Sequence, residues 1–187
     1  GPSGSGKTTL AENLSMRLLT YKYFNTDKKL YYPPGVITHA ELIDVAHRDP
    51  AKYMEFCQRI INSRLAVYNT NENIVMDRGL LDVWVYAILQ IGHLMTSAQT
   101  KALFELCSVT PTGRYLIVLT EPFSEVEDNH VRIANPHYQD MVSTLFQSYS
   151  RKMYPNHNIY RPSQVSREPL IEQVSKYVIW ATKDQPQ

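Results

Sequence analysis

The chain has 187 residues, 43% of them hydrophobic and 20% charged, with a formal net charge of +1. That length suits one domain, able to bury roughly 70% of its unfolded surface. Near-neutral charge excludes an overall field drawing the chain to nucleic acid or an anionic membrane, and no apolar run approaches the roughly 18 residues of a spanning helix.

The chain opens on GPSGSGKTT, residues 1–9. Gly1, Gly6, Lys7 and Thr8 satisfy G-x-x-x-x-G-K-[ST], the spacing of a phosphate-binding loop. Glycine lets the backbone turn and approach a ligand closely. Amides from Gly1, Ser3, Gly4, Ser5, Gly6, Lys7, Thr8 and Thr9 are then placed to cradle α- and β-phosphates. Lys7 reaches toward the β- and γ-phosphates and the Thr8 hydroxyl is a ligand for Mg²⁺. Leu10, Leu14 and Leu18 repeat every four residues and predict a helix from about Lys7 to Thr20. Its N-terminus adds roughly half a positive charge to the same place. Such a loop follows a buried, central strand, so a short apolar strand is expected before Gly1 in the natural protein.

Tyr21 to Asn25 reads as a short strand. Asp27, just past its end, lies where open α/β sheets bind ligands, although a turn aspartate fits it equally well. Pro33, Pro34 and Gly35 make a loop. Thr38 and Glu41 form a capping box opening a helix to about His47. Asp49 caps another helix with Pro50 in its first turn, carrying Met54, Phe56, Cys57, Ile60, Ile61, Leu65 and Tyr68 on its apolar face.

Ile74 to Met76 predicts a second strand, with Asp77 and Arg78 at its carboxyl end. Leu80 to Ile91 is apolar nearly all round, a core helix ended by Gly92. Ser97 is the expected cap of a helix to about Cys107. Tyr115 to Thr120 is a continuous apolar run, as in a parallel strand buried on both faces. The polar stretch around 122–135 reads as lid-like. Asn135 and Pro136 open a long helix to about Tyr154. Asn158 to Arg161 is a short last strand, and Ser166 caps a final helix burying Leu170, Ile171, Val174 and Val178. Strands alternating with helices throughout define an α/β domain.

Phosphoryl transfer needs a phosphate cradle, Mg²⁺ and fixed positive charge. Asp77 is the candidate carboxylate for the metal alongside Thr8, with helix capping as its other reading. Arg78 either clamps phosphate or pairs with a neighbouring carboxylate. Arg132 is the candidate cation of the lid. Asp27, then Asp77, are candidate bases for an acceptor hydroxyl. Tyr31 and Tyr32 either stack on a nucleobase or belong to the core. The histidines lack metal-ligand spacing. Cys57 and Cys107 read as buried apolar residues, which suits a reducing, cytoplasmic setting.

With GPSGSGKTT, VMDRGLLDVWVYA and Arg132 before a long helix, the chain resembles the P-loop nucleoside and nucleotide kinases. It is most similar to the small AAA-type ATPase/kinase family that includes the nicotinamide riboside kinase domain of NadR-like proteins; deoxynucleoside and thymidylate kinases are more distant. The resemblance implies a three-layer P-loop NTPase sandwich spanning residues 1–187, its five-stranded parallel sheet flanked by helices, with a lid at about 122–137. It implies ATP and Mg²⁺ as cofactors, with Asp77 and Arg78 serving metal and phosphate and Arg132 contacting ATP. A nucleoside or nucleotide would be the acceptor. Asn25-Thr26-Asp27 also resembles the strand-end aspartate of polynucleotide 5′-kinases, which implies as an alternative a hydroxyl within DNA or RNA. A third reading is a P-loop ATPase or nucleotide sensor without an acceptor.

Overall fold

A computed structural model describes residues 7–18, 20–25, 31–70, 72–111, 115–120, 135–154, 159–162 and 167–183. The elements run α1 (Lys7–Arg17), β1 (Lys22–Asn25), α2 (His39–Arg48), α3 (Pro50–Tyr68), β2 (Ile74–Asp77) and α4 (Leu80–Ile91), then α5 (Ser97–Cys107), β3 (Ile117–Val118), α6 (Pro136–Met153), β4 (Ile159–Tyr160) and α7 (Arg167–Lys183). One 3₁₀ turn, Gly92–Leu94, links α4 to α5.

All four strands pair in parallel, β1 with β2 and β3 with β4. The register sets Tyr23 against Val75 and Asn25 against Asp77, so both strands of the first pair finish level at their carboxyl ends. Ile117 lies against Ile159 and Val118 against Tyr160 in the second pair. The architecture is the expected α/β sandwich with a small sheet: the described residues contain four strands in two pairs rather than one ladder of five. The fifth, expected before Gly1, is not among them.

Helices cover both faces. On one side Leu10 and Leu14 of α1 and Leu170, Ile171 and Val174 of α7 form a cluster against which Val75, Val118 and Tyr160 pack. On the other side the larger core joins α2 through α6, with Ile61, Leu80, Val85, Ala87 and Ile91 fully or almost fully buried. Ile117 and Ile159 pack against this second cluster, so successive residues of β3 and β4 point to opposite layers, as the two-residue period of a strand requires. Trp84 sits edge-on to both Phe104 and Tyr149, joining α4, α5 and α6.

Local signals set the helix starts. Thr38 and Glu41 form the expected reciprocal capping box, and the Asp49 side chain accepts from the Lys52 amide ahead of α3. Asn135 accepts from the amides of His137 and Tyr138 and opens α6 ahead of Pro136. The cap of α5 differs from expectation. Thr96, not Ser97, accepts from the Gln99 amide, and the Gln99 side chain answers at the Thr96 amide. A capping box needs Glu or Gln three residues after the cap, and position 99 selects Thr96 rather than Ser97. α1 ends at Arg17, short of Thr20, although the Leu18 amide still bonds the Leu14 carbonyl. The strand ladder of the Tyr115–Thr120 run is only Ile117–Val118.

Ile61 is completely enclosed where α3 packs on the core. Truncating it to alanine should cost about 2–5 kcal/mol, read as a lowered urea midpoint with the slope unchanged.

Candidate functional site

The first helical residues after the glycine-rich segment meet the end of β2. The Thr8 hydroxyl donates a 2.6 Å hydrogen bond to Asp77 Oδ2 across 69 positions of sequence. Asp77 is 3% exposed, and its second oxygen, Oδ1, is buried without a hydrogen-bond partner among the described residues. A buried carboxylate oxygen normally has a donor or a metal, because desolvating it uncompensated is costly. Two hard oxygen donors, one hydroxyl and one carboxylate, suit Mg²⁺, which is held by one or two carboxylates with substrate phosphates and water. No cluster of three or more His, Cys, Asp or Glu suited to a metal occurs among the described residues, so a softer, all-protein metal cage has no support there.

Arg78 has φ 72°, the only positive φ at a described non-glycine residue. A left-handed arginine is strained, by an amount on the order of 1–3 kcal/mol, and persists only where neighbours over-determine it. Its side chain turns back over α4, with Nη1 3.9 Å from Asp82 Oδ1. It also hydrogen-bonds Tyr86. Of the two roles expected for Arg78, pairing with a neighbouring carboxylate is the one realised in this structure. Burial works against its charge, but Asp82, Tyr86 and Asp77 outweigh it and keep the guanidinium more firmly protonated than usual.

Two charged residues at this turn escaped the sequence reading. Arg64 is 1% exposed, and its Nη1 donates to the Gly79 carbonyl. Asp82 is 5% exposed, and its Oδ2 accepts from the Gly79 amide at 3.2 Å. Burial pushes the Asp82 carboxyl up, and the charges of Arg78, Lys7 and Arg64 pull the other way. Burial lowers the Arg64 guanidinium, with Asp82 opposing. Signals for both were present. Position 64 falls on the buried stripe of α3 with Cys57, Ile60 and Ile61, and Asp82 is the lone charge in the apolar run of α4.

The other expectations divide. Lys7 and Thr9 lie in the first turn of α1 beside Thr8. Gly1, Ser3, Gly4, Ser5, Gly6, Asp27 and Arg132, with most of the lid-like stretch, lie outside the described residues. Asn25, two residues before Asp27, ends β1 level with Asp77. Tyr31 donates to Ser63 at 2.9 Å, and Tyr32 meets Phe56 edge-on at 5.8 Å. Both pack against the main core, the second of their two expected roles. Cys57 and Cys107 are buried free thiols, as expected.

Helix α1 and strand β2 thus converge at the carboxyl edge of a parallel sheet, the arrangement of a P-loop domain. The chain belongs to the AAA domain family, whose profile matches residues 1–167. Its structure is similar to that of a deoxyadenosine kinase from M. mycoides solved with bound dCTP, with a TM-score of 0.60 over 95% of each chain. Identity is 11%, so the likeness is one of fold. Among curated proteins none matches the chain in sequence. Fold and family agree on an AAA-type P-loop domain.

The Asp82 carboxylate compensates two buried or half-buried guanidinium groups. Replacing it with alanine leaves Arg64 enclosed without a counter-charge and should destabilise the fold by about 3–5 kcal/mol. Denaturant titration of Asp82→Ala beside an exposed control, Asp44→Ala, checks this; the control should stay within about 0.5 kcal/mol of the parent.

Proposed function

We propose that the protein is an ATP- and Mg²⁺-dependent kinase that transfers the γ-phosphoryl group to a nucleoside or nucleotide. The observation that carries this reading is the hydrogen bond between Thr8 and the buried Asp77. It joins the residue that would ligate the metal in a phosphate-binding loop to a carboxylate with one oxygen still to be satisfied.

Residues 1–9 wrap the polyphosphate, with the amides of Gly1, Ser3, Gly4, Ser5, Gly6, Lys7, Thr8 and Thr9 donating to it. The Lys7 ammonium follows negative charge onto the β- and γ-oxygens. Thr8 and Asp77 would hold Mg²⁺, which neutralises phosphate charge when bound. Arg78 leaves Asp82 for the phosphates, and Arg132 approaches from the lid at 122–137; such fixed charge is worth most where water is excluded. Asp27 would take the proton of the acceptor hydroxyl. The reading treats residues 1–187 as one kinase domain. Free buried thiols fit a cytoplasmic setting. Among the described residues no helix is long and apolar enough to cross a membrane.

Membership of the AAA domain family favours a second reading, an ATPase or nucleotide-sensing module with no acceptor. Transfer of label from γ-labelled ATP across a panel of nucleosides, nucleotides and oligonucleotides separates the two. The kinase reading expects label on a free nucleoside or nucleotide; release as inorganic phosphate alone, whatever is added, supports the ATPase. Label appearing only on oligonucleotides would move the acceptor to DNA or RNA, with the steep salt dependence of polymer binding.

Lys7→Ala should lower turnover by at least about 10²-fold while leaving the far-ultraviolet circular dichroism unchanged. Asp77→Asn should reduce activity roughly 10–100-fold and raise the Mg²⁺ concentration needed for half-maximal rate. Wild-type turnover in Lys7→Ala would contradict the assignment.

A further inference from the structure

The turn from β2 into α4 contains a paradox. Arg78 holds a left-handed backbone that glycine would adopt freely, while the glycine beside it, Gly79, is extended, with φ −109° and ψ −172°. A chain needing only a tight turn would carry glycine at 78. Arginine there means that its side chain is wanted in the direction this backbone gives it, and some other group must hold that backbone.

That group is the Arg64–Asp82 pair. The Gly79 residue is gripped at both ends: its carbonyl accepts from Arg64 Nη1, and its amide donates to Asp82 Oδ2 at 3.2 Å. Arg64 comes from α3, fifteen positions earlier, and Asp82 from the first turn of α4. Both are almost fully enclosed, so neither hydrogen bond competes with water. Arg78 is the member of the trio with solvent access, its side chain 25% exposed against 7% for Asp82. Its 3.9 Å approach to Asp82 lies beyond hydrogen-bond range, a loose charge contact, so the tie to be exchanged for a phosphate is its hydrogen bond to Tyr86. Arg64 and Asp82 both hold the one Gly79 peptide, so moving Arg78 away still leaves Asp82 with a buried guanidinium close by. The carboxylate is therefore not stranded when Arg78 departs.

We infer that Arg64, with Asp82, is a positioning residue of the phosphate site: the pair clamps Gly79, fixes the left-handed turn at Arg78, and remains neutralised when Arg78 swings from Asp82 onto a bound polyphosphate. The inference rests on the proposed phosphate site but does not need the kinase reaction. It gives Arg64 a role that acts only through Arg78, with no contact to the ligand.

The test is a double-mutant cycle read by binding of inorganic tripolyphosphate with Mg²⁺, measured by calorimetry on the full chain. Arg78→Ala should weaken binding about tenfold, the worth of one charge-assisted hydrogen bond. Arg64→Met should weaken it to a similar extent, and the Arg64→Met/Arg78→Ala double variant should be no weaker than Arg78→Ala alone, because the clamp has nothing left to aim. A merely structural role predicts the opposite, a loss from Arg64→Met of the same size whether or not Arg78 is present. That result, or wild-type affinity in Arg64→Met with Arg78→Ala impaired, overturns the inference. Where Arg64→Met does not fold, Arg64→Lys carries the same cycle: the ammonium keeps the charge beside Asp82 but lacks the guanidinium fork, so a smaller loss that vanishes in the Arg78→Ala background is expected, and an additive loss overturns it. If wild-type protein fails to bind tripolyphosphate, the phosphate site and this inference fall together. If it binds but transfers no phosphoryl group to any acceptor, the kinase reading fails and the clamp stands or falls on the cycle.

Discussion

The contact between the Thr8 hydroxyl and the Asp77 carboxylate is the constraint on which the rest depends. It ties the first turn of a helix to the last residue of a strand 69 positions away, at the edge where parallel strands present their carboxyl ends. Once those two points meet, α1 must lie across β2, and α7 can pack on α1 to close that face. The same meeting point puts the positive end of α1, a lysine and a buried carboxylate within one small volume. Phosphates and a divalent ion are the ligands that such an arrangement suits.

Behind the contact stands a buried electrostatic frame. Arg64 and Asp82 are enclosed by the main core, which joins α3 and α4 through Ile60, Ile61, Leu80 and Val83. Enclosed charges contribute little net stability, because desolvation offsets attraction. Their value is directional: they hold one glycine peptide from both sides and let an arginine occupy a backbone region it would otherwise avoid. The core supplies stability, and the frame converts it into the orientation of the Asp77–Arg78 turn.

Much of this was legible in the sequence because it is local. The helix beginning at Lys7, the apolar run ending at Asp77, and the caps at Thr38, Asp49 and Asn135 each concern a few consecutive residues whose chemistry admits few alternatives. The Arg64–Gly79–Asp82 frame was not legible, because it depends on how α3 crosses α4. An arginine among isoleucines reads as the edge of an apolar face, and an aspartate at the start of an apolar helix reads as a cap. Asp82 does bond the Gly79 amide and pair with nearby Arg78, but the Arg64 guanidinium on the far side of that peptide is brought there only by the fold. Ser97 was misread for a simpler reason: two adjacent hydroxyls compete for one cap, and the partner three residues on decides between them.

The most direct measurement is a crystal structure of the full chain with a non-hydrolysable ATP analogue and Mg²⁺. The expected result is an ion held by Thr8 and Asp77, with the triphosphate bound at residues 1–9 and Arg78 turned toward it. A triphosphate and ion bound elsewhere, with the Thr8–Asp77 hydrogen bond undisturbed and Arg78 still over Asp82, would contradict it.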